Sequence, residues 1–144
     1  MLGEDTELDL KNEPNAILCV DDEPIILISL VQELKNKLGH EFIFETAQDA
    51  TEGLEVIDEL FSNGTKVALI VSDWLMPITN GDEFLIEVHK KYPDIPSILV
   101  TGHIEKGIFD KVQKEAGTFT VLHKPWNSEE LLKVVRKLCY NSTD

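Results

Sequence analysis

Four short apolar runs in this chain end in side chains able to do chemistry. Asp21, Asp22 and Glu23 follow one run, Ser72 and Asp73 close another, Thr101 and Gly102 a third, and His123, Lys124 and Pro125 the last. Three carboxylates brought to one rim repel each other, and protonation or a hard cation with oxygen ligands relieves that repulsion. Magnesium suits such a site. It takes one or two protein carboxylates and fills its other positions with water and a phosphate oxygen. Lys124 adds a positive charge that can pair with a carboxylate at rest and with a phosphoryl oxygen later, and Thr101 adds a hydroxyl donor. Phosphoryl transfer asks for an aligned nucleophile and stabilised charge on three equatorial oxygens, so metal, lysine and hydroxyl would give each oxygen a partner. Asp73 is the candidate nucleophile, as a carboxylate is in other aspartyl-phosphate chemistry. It follows a central apolar run and precedes Trp74, Leu75, Met76 and Pro77, a turn able to swing a backbone carbonyl toward a metal.

Those residues meet only if the chain folds to bring run ends together. Apolar runs at 16–20, 42–46, 67–72, 97–101 and 118–122 are four to six residues long and several are β-branched, as buried parallel strands tend to be. Helical spacing separates them: Leu27, Val31, Leu34 and Leu38; Ala50, Leu54, Ile57 and Phe61; Phe84, Leu85, Val88 and Tyr92; Leu131, Val134, Val135 and Leu138. Thr46 with Asp49 and Asn80 with Glu83 have the spacing of capping boxes, Ser128 stands before Glu129 and Glu130, and Pro93 closes the third helix. Residues 104–116 form the thinnest helical pattern, interrupted by Gly107. Strand-then-helix units with short connections predict an α/β doubly wound five-stranded parallel sheet with helices on both faces. Ligands in such folds gather outside the carboxyl ends of the strands, where the strand order reverses.

The whole chain sets bounds on the job. With 144 residues, 42% of them hydrophobic, one compact domain over 15–141 is expected, preceded by an acidic leader at 1–14 and followed by a tail at 142–144. A formal net charge of -14 argues against phosphate backbones and anionic membrane surfaces, so neither nucleic acid nor membrane is an expected partner. Cys19 and Cys139 make no framework for disulfides or zinc, which points to a reducing cytoplasm. No apolar stretch approaches the roughly 20 residues that span a bilayer. His40, His89, His103 and His123 have no ligand spacing, although His103 lies beside the rim and is a candidate for tuning phosphoryl lifetime. Neither G-x-G-x-x-G nor G-x-x-x-x-G-K occurs, against a nucleotide-binding loop.

The acidic pair Asp21 and Asp22, the stretch from Ser72 through Pro77 followed by Gly81, then Thr101, and then Lys124 with Pro125 resemble the receiver domain of two-component response regulators in order and spacing, over roughly residues 15–140. The resemblance implies a flavodoxin-like strand order 2-1-3-4-5. It implies phosphorylation of Asp73 by a histidine kinase or phosphotransfer protein, with Mg2+ bound by Asp22, Asp73 and the Leu75 carbonyl and reached by Asp21 through water. Thr101 and Lys124 would grip the phosphoryl group and reshape the helix 4 region, 102–116, and the strand after it. The protein would then be a switch rather than an enzyme, its chemistry limited to self-phosphorylation and autodephosphorylation. Two positions depart from the family pattern: Gly102 follows the threonine where a small side chain is usual, and Val121 stands three residues before the lysine where an aromatic is common.

Other readings of the same residues are weaker. Asp21 and Asp22 alone would read as a helix N-terminal feature. A magnesium-dependent phosphatase of the aspartyl-nucleophile type wants a second acid two residues after the nucleophile, where Leu75 stands. A pseudo-receiver acting only as a docking surface would not need all five site positions. Ile25, Ile26 and Ser29 lie beside the first helix's core stripe near the rim and are the candidate kinase-docking patch. Trp74 is a candidate shield against water. The chain closes soon after its last helix, so an output domain on a longer protein, a homodimer partner or a stand-alone regulator are all compatible. Asp73 with Trp74, and Lys124 through Trp126, resemble receivers joined to cyclic-dinucleotide phosphodiesterases or cyclases.

Overall fold

The structure, a computed structural model, describes residues 15–102, 110 and 119–140. The leader 1–14, the helical pattern at 104–116, His103 and the tail 142–144 lie outside the described residues. Five strands, β1 (Asn15–Val20), β2 (Ile43–Ala47), β3 (Lys66–Asp73), β4 (Ser97–Thr101) and β5 (Phe119–His123), alternate with α1 (Pro24–Leu38), α2 (Ala50–Ser62), α3 (Gly81–Lys91) and, after β5, α4 (Ser128–Tyr140). All strand pairs are parallel and the order is β2-β1-β3-β4-β5, the doubly wound arrangement that the sequence pattern predicts.

Both faces of the sheet are covered, which is why its central strands read as unbroken apolar runs rather than as alternating ones. Ala16, Leu18, Val20, Ile70 and Leu99 point to one face and pack with α2 and α3. Ile17, Cys19, Leu69, Val71, Ile98 and Val100 point to the other and pack with α1 and α4. The two core clusters meet only through the sheet, so each helix pair is held by its own apolar contact, at about 25 cal/mol per Å² removed from water.

Two helices bury a face slightly rotated from the expected one. In α1 Leu30 is buried and Val31 only half-buried. In α2 the buried set is Ala50, Gly53, Ile57 and Leu60, with Leu54 half-buried and Phe61 exposed. Gly53 explains the second rotation. A Cβ there would lie 2.8 Å from the ring of fully buried Phe84, so the missing side chain is what lets α3 press its phenylalanine against α2. Phe61, left at the surface, stacks on Tyr92 at 4.4 Å between ring centres.

The helix starts also differ from the expected caps. Asp49, not Thr46, caps α2, accepting from the Glu52 amide at 2.8 Å while Glu52 Oε1 accepts from the Gln48 amide at 2.7 Å. Asn127, not Ser128, caps α4, accepting from the amides of Glu129 and Glu130 at 2.7 and 3.3 Å. Asn80 precedes α3 but makes no side-chain cap; its Oδ1 accepts from the Met76 amide at 3.3 Å and so serves the preceding loop. Asp49 and Asn127 each lie immediately before the first helical turn, where free amides need an acceptor.

Gly53→Val is expected to cost about 2–3 kcal/mol by overpacking against Phe84. Urea denaturation followed by circular dichroism measures it, and an unchanged midpoint would mean that the Gly53–Phe84 contact is slack.

Candidate functional site

β1 and β3 are neighbours, but the chain leaves β1 toward β2 on one side and leaves β3 toward β4 on the other. Their carboxyl ends therefore flank the crevice where strand order reverses, and those ends carry Asp21, Asp22 and Asp73. Asp21 is buried at 4% exposure. Its amide donates to the Ala47 carbonyl at 3.1 Å and its Oδ1 accepts from the Glu23 amide at 2.9 Å, which turns the chain sharply into Pro24 at the start of α1. Asp22 stays exposed.

The carboxyl end of β3 is pinned on several sides. The Trp74 amide donates to the Val100 carbonyl at 2.9 Å, the Gly81 amide to the Trp74 carbonyl at 2.7 Å, and the Ser72 hydroxyl to the Asp73 carbonyl at 3.0 Å. Gly81 comes so close that a Cβ would lie 2.1 Å from the Asp73 carbonyl oxygen, so only glycine permits this approach. Trp74 turns inward: its indole donates to Asp82 Oδ1 at 3.1 Å, both residues are buried, and it packs in the α2–α3 core. The expected shielding role for Trp74 therefore has no geometric basis, since burial takes the ring away from the cleft. Leu75, 64% exposed, stands there instead.

On the far side the Lys124 amide donates to the Thr101 carbonyl at 2.8 Å, which brings the loop after β5 against the end of β4. The Lys124 Nζ then reaches Asp73 Oδ1 at 2.8 Å. Ligand oxygens of Asp21, Asp22 and Asp73 all lie within 4.8 Å of one another, the one such cluster among the described residues. A cleft of about 340 Å³ is lined by Asp22, Asp73, Leu75, Thr101 and Lys124, together with Glu23 and Gly102. The fold thus gathers all six residues singled out from the sequence, from four separate segments. His40 and His123 are exposed, His89 is half-buried on α3, and none of the three joins the cluster.

The electrostatics are unbalanced in one direction. Burial, and then the charges of Asp73 and Asp22, push the Asp21 carboxyl up to about 6, against the opposing Glu23 amide bond and the Lys124 charge. Burial alone would push the Lys124 ammonium down. Its hydrogen bond to Asp73 and the charges of Asp73, Asp21 and Glu23 outweigh that and hold it above the ordinary lysine range. Three carboxylates against one ammonium leave two negative charges in excess, and their oxygens are close enough to share one small divalent cation, directly or through water.

A family model described as the response regulator receiver domain matches residues 17–136. The chain belongs to the response regulator receiver family. It is 30% identical over 122 residues to the sensor kinase CckA of Brucella abortus, covering 85% of this chain and 12% of that protein. It is 31% identical over 116 residues to a chemotaxis protein, a CheY homologue, of Campylobacter jejuni, covering 79% of this chain and 85% of the relative. Among solved structures, the signal receiver domain of an HD domain-containing protein from Pseudomonas fluorescens Pf-5 superposes with a TM-score of 0.76 at 30% identity, over 89% of this chain and 88% of that one. Four of the curated relatives are spanned over only 12% to 26% of their own length. Receiver domains in general accept a phosphoryl group.

Two features near the receiver's rim escaped the sequence pattern. Ile28 is 62% exposed beside Ile25 at 77%, one helical turn apart on α1, whereas Ile26 is half-buried and Ser29 exposed. The periodicity of α1 places Ile28 off the core stripe, which is the signal that would have found it. The other, a bond from Trp126 to Glu33, joins residues 93 apart and leaves no trace in local spacing.

The raised Asp21 carboxyl has a testable sign. The folded, metal-free domain holds this proton more tightly than the unfolded chain does, so the stability it contributes is lost as pH rises from about 4 to about 6. Asp21→Asn keeps an acceptor for the Glu23 amide while removing the charge. It should abolish that loss, raise the melting temperature at pH 7 in EDTA by roughly 3–6 °C, and weaken divalent-cation binding about tenfold or more. Thermal melts at pH 4.5 and 7 and calorimetric titration measure both effects.

Proposed function

We propose that Asp73 accepts a phosphoryl group from the phosphohistidine of a histidine kinase or phosphotransfer protein, with Mg2+ held by Asp21, Asp22, Asp73 and the Leu75 carbonyl. The observation that carries this reading is the 2.8 Å contact of Lys124 Nζ with Asp73 Oδ1 inside a carboxylate cluster 4.8 Å across. An Asp73 carboxylate oxygen forms the new bond to phosphorus while the bond from phosphorus to the donor imidazole breaks, and the imidazole nitrogen keeps the electron pair. Lys124 moves its contact from the carboxylate to a phosphoryl oxygen, and the Thr101 hydroxyl donates to another. When bound, Mg2+ supplies the positive charge that lets anionic oxygens crowd into an already acidic crevice. Water attack at phosphorus later releases inorganic phosphate and restores the carboxylate.

In this reading the unit from 15 to 141 is a switch whose only chemistry is on itself. Phosphorylation shifts a population between two arrangements of 102–116 and β5. Exposed Ile25 and Ile28, beside the acidic start of α1, are the apolar surface that a kinase or phosphotransfer helix would cover. An output domain on the same chain or a second copy would read the switched surface. Two free thiols, with burial pushing Cys19 up to about 12 and Cys139 up to about 11, fit a reducing cytoplasm. No helix among the described residues is long and apolar enough to cross a membrane.

Incubation with acetyl phosphate and Mg2+ should add the mass of one phosphoryl group, seen by intact mass spectrometry. EDTA or Asp73→Asn should prevent the addition, and Thr101→Ala should slow it roughly 10–100-fold. A phosphoryl group retained by the Asp73→Asn protein would overturn the assignment of the acceptor.

A further inference from the structure

The loop from Lys124 to Asn127 is tied down at each end. Lys124 is bonded through its amide to the Thr101 carbonyl, and Asn127 caps α4 with its side chain and accepts the Leu131 amide with its carbonyl. Between them Trp126 is tied to a third element. Its indole Nε1 donates to Glu33 Oε1 on α1 at 3.1 Å, while its half-buried ring joins the core cluster that α1 and α4 share with the sheet. The other carboxylate oxygen, Glu33 Oε2, is buried and has no hydrogen-bond partner among the described residues. A carboxylate with one oxygen enclosed and unsatisfied is costly, and the indole bond is the compensation visible beside it.

The position of this bond gives it a second consequence. α1 begins directly after Asp21, Asp22 and Glu23, and the loop begins with Lys124, so α1 and the loop carry opposite charges of the acceptor crevice. Lys124, Pro125 and Trp126 also share with Ile26 a concavity of about 460 Å³ adjoining the cleft through Lys124. A lysine side chain has four rotatable carbons and loses its aim if its backbone shifts, and a misplacement of about 1 Å can cost phosphoryl transfer as much as 100-fold. We propose that Glu33 and Trp126 form a positioning pair that locks the loop to α1 and so holds the Lys124 ammonium against the acceptor carboxylate. This inference rests on the reading of Asp73 as the acceptor, and it places neither residue in contact with the phosphoryl group.

The test compares wild type, Trp126→Phe, Glu33→Gln, Glu33→Leu and the Trp126→Phe/Glu33→Leu double variant. Phosphorylation by acetyl phosphate is followed at saturating Mg2+ across donor concentrations, beside the Mg2+ dissociation constant and the melting temperature of each protein. Wild-type protein that gains no phosphoryl group would end the acceptor reading itself, independently of the pair. With wild type active, Trp126→Phe and Glu33→Leu should each lower the maximal rate about 3–10-fold with the Mg2+ dissociation constant unchanged within twofold. Glu33→Gln, which keeps the acceptor for the indole, should restore a rate close to wild type, and the double variant should be no slower than the slower single one. Should the Leu variant not fold, Trp126→Phe and Glu33→Gln decide the matter. Variants that melt lower yet phosphorylate at the wild-type maximal rate would show the bond to be structural only, and a matching loss of Mg2+ affinity would place its effect on the acids rather than on the lysine.

Discussion

Three carboxylates share a rim only 4.8 Å across with a single ammonium, and the rest of the receiver exists to make that arrangement tolerable. Each like-charged pair at that separation costs roughly 1–3 kcal/mol for an effective dielectric between bulk water and a protein surface. Lys124 offsets part of this, which is why its ammonium is held above its ordinary range even though burial opposes it. Asp21 shows the remainder: its carboxyl is pushed up to about 6 because the crevice resists full ionisation. A site that is strained in this way binds a divalent cation better than a relaxed one would, because the ion relieves a cost that already exists. Stability is given up locally and recovered in the two apolar clusters that sandwich the sheet.

A parallel sheet is well matched to that task. Antiparallel hairpins would send successive strand ends to opposite edges, whereas parallel strands bring every carboxyl end to the same one. Here the ends of β1 and β3 supply carboxylates, that of β4 a hydroxyl and that of β5 an ammonium. The backbone then sets the aim. Asp73 is fixed through its own carbonyl by Ser72 and by the close approach of Gly81, and through the following residue by bonds to Val100 and Gly81. These contacts leave the carboxylate oxygens of Asp73 free to answer to charge alone.

What the sequence made legible follows from which signals are local. Strands β1, β3 and β4 are apolar on both faces, and their ends carry Asp21, Asp73 and Thr101, so fold and site announced themselves together. Lys124 could be read because Pro125 marks the end of a run and the acids elsewhere gave its charge a purpose. The caps were harder to read: Thr46 and Ser128 have the right chemistry, but Asp49 and Asn127 hold the position that the first turn needs. Gly53 carries no apolar signal for the core face of its helix, yet it is the space into which Phe84 fits. The bonds from Trp74 to Asp82 and from Trp126 to Glu33 were illegible, because indole donors choose partners that only the assembled fold brings near. Trp74 shows the cost of arguing from adjacency, since a residue next to the acceptor in sequence turned its ring away from it.

The same contacts constrain how a change at Asp73 can travel. The main-chain bond from Lys124 to the Thr101 carbonyl joins the ends of β4 and β5, so the lysine can change partner at its ammonium without parting those strands. Under the proposed reading its choice lies between a carboxylate oxygen and a phosphoryl oxygen, two acceptors on the same residue but at different reach. Only that difference in contact energy is available to bias the surface beyond, since a ligand that meets both states equally shifts neither. Gly102, exposed and with nothing among the described residues within 4 Å of where a Cβ would be, follows Thr101 directly and gives the backbone there a glycine's freedom. Val121, half-buried on β5 where the family often carries an aromatic, offers no large ring to change position. Under the proposed reading, the displacement would run through the backbone around Thr101 and Gly102 and the loop at Lys124 rather than through a swinging ring.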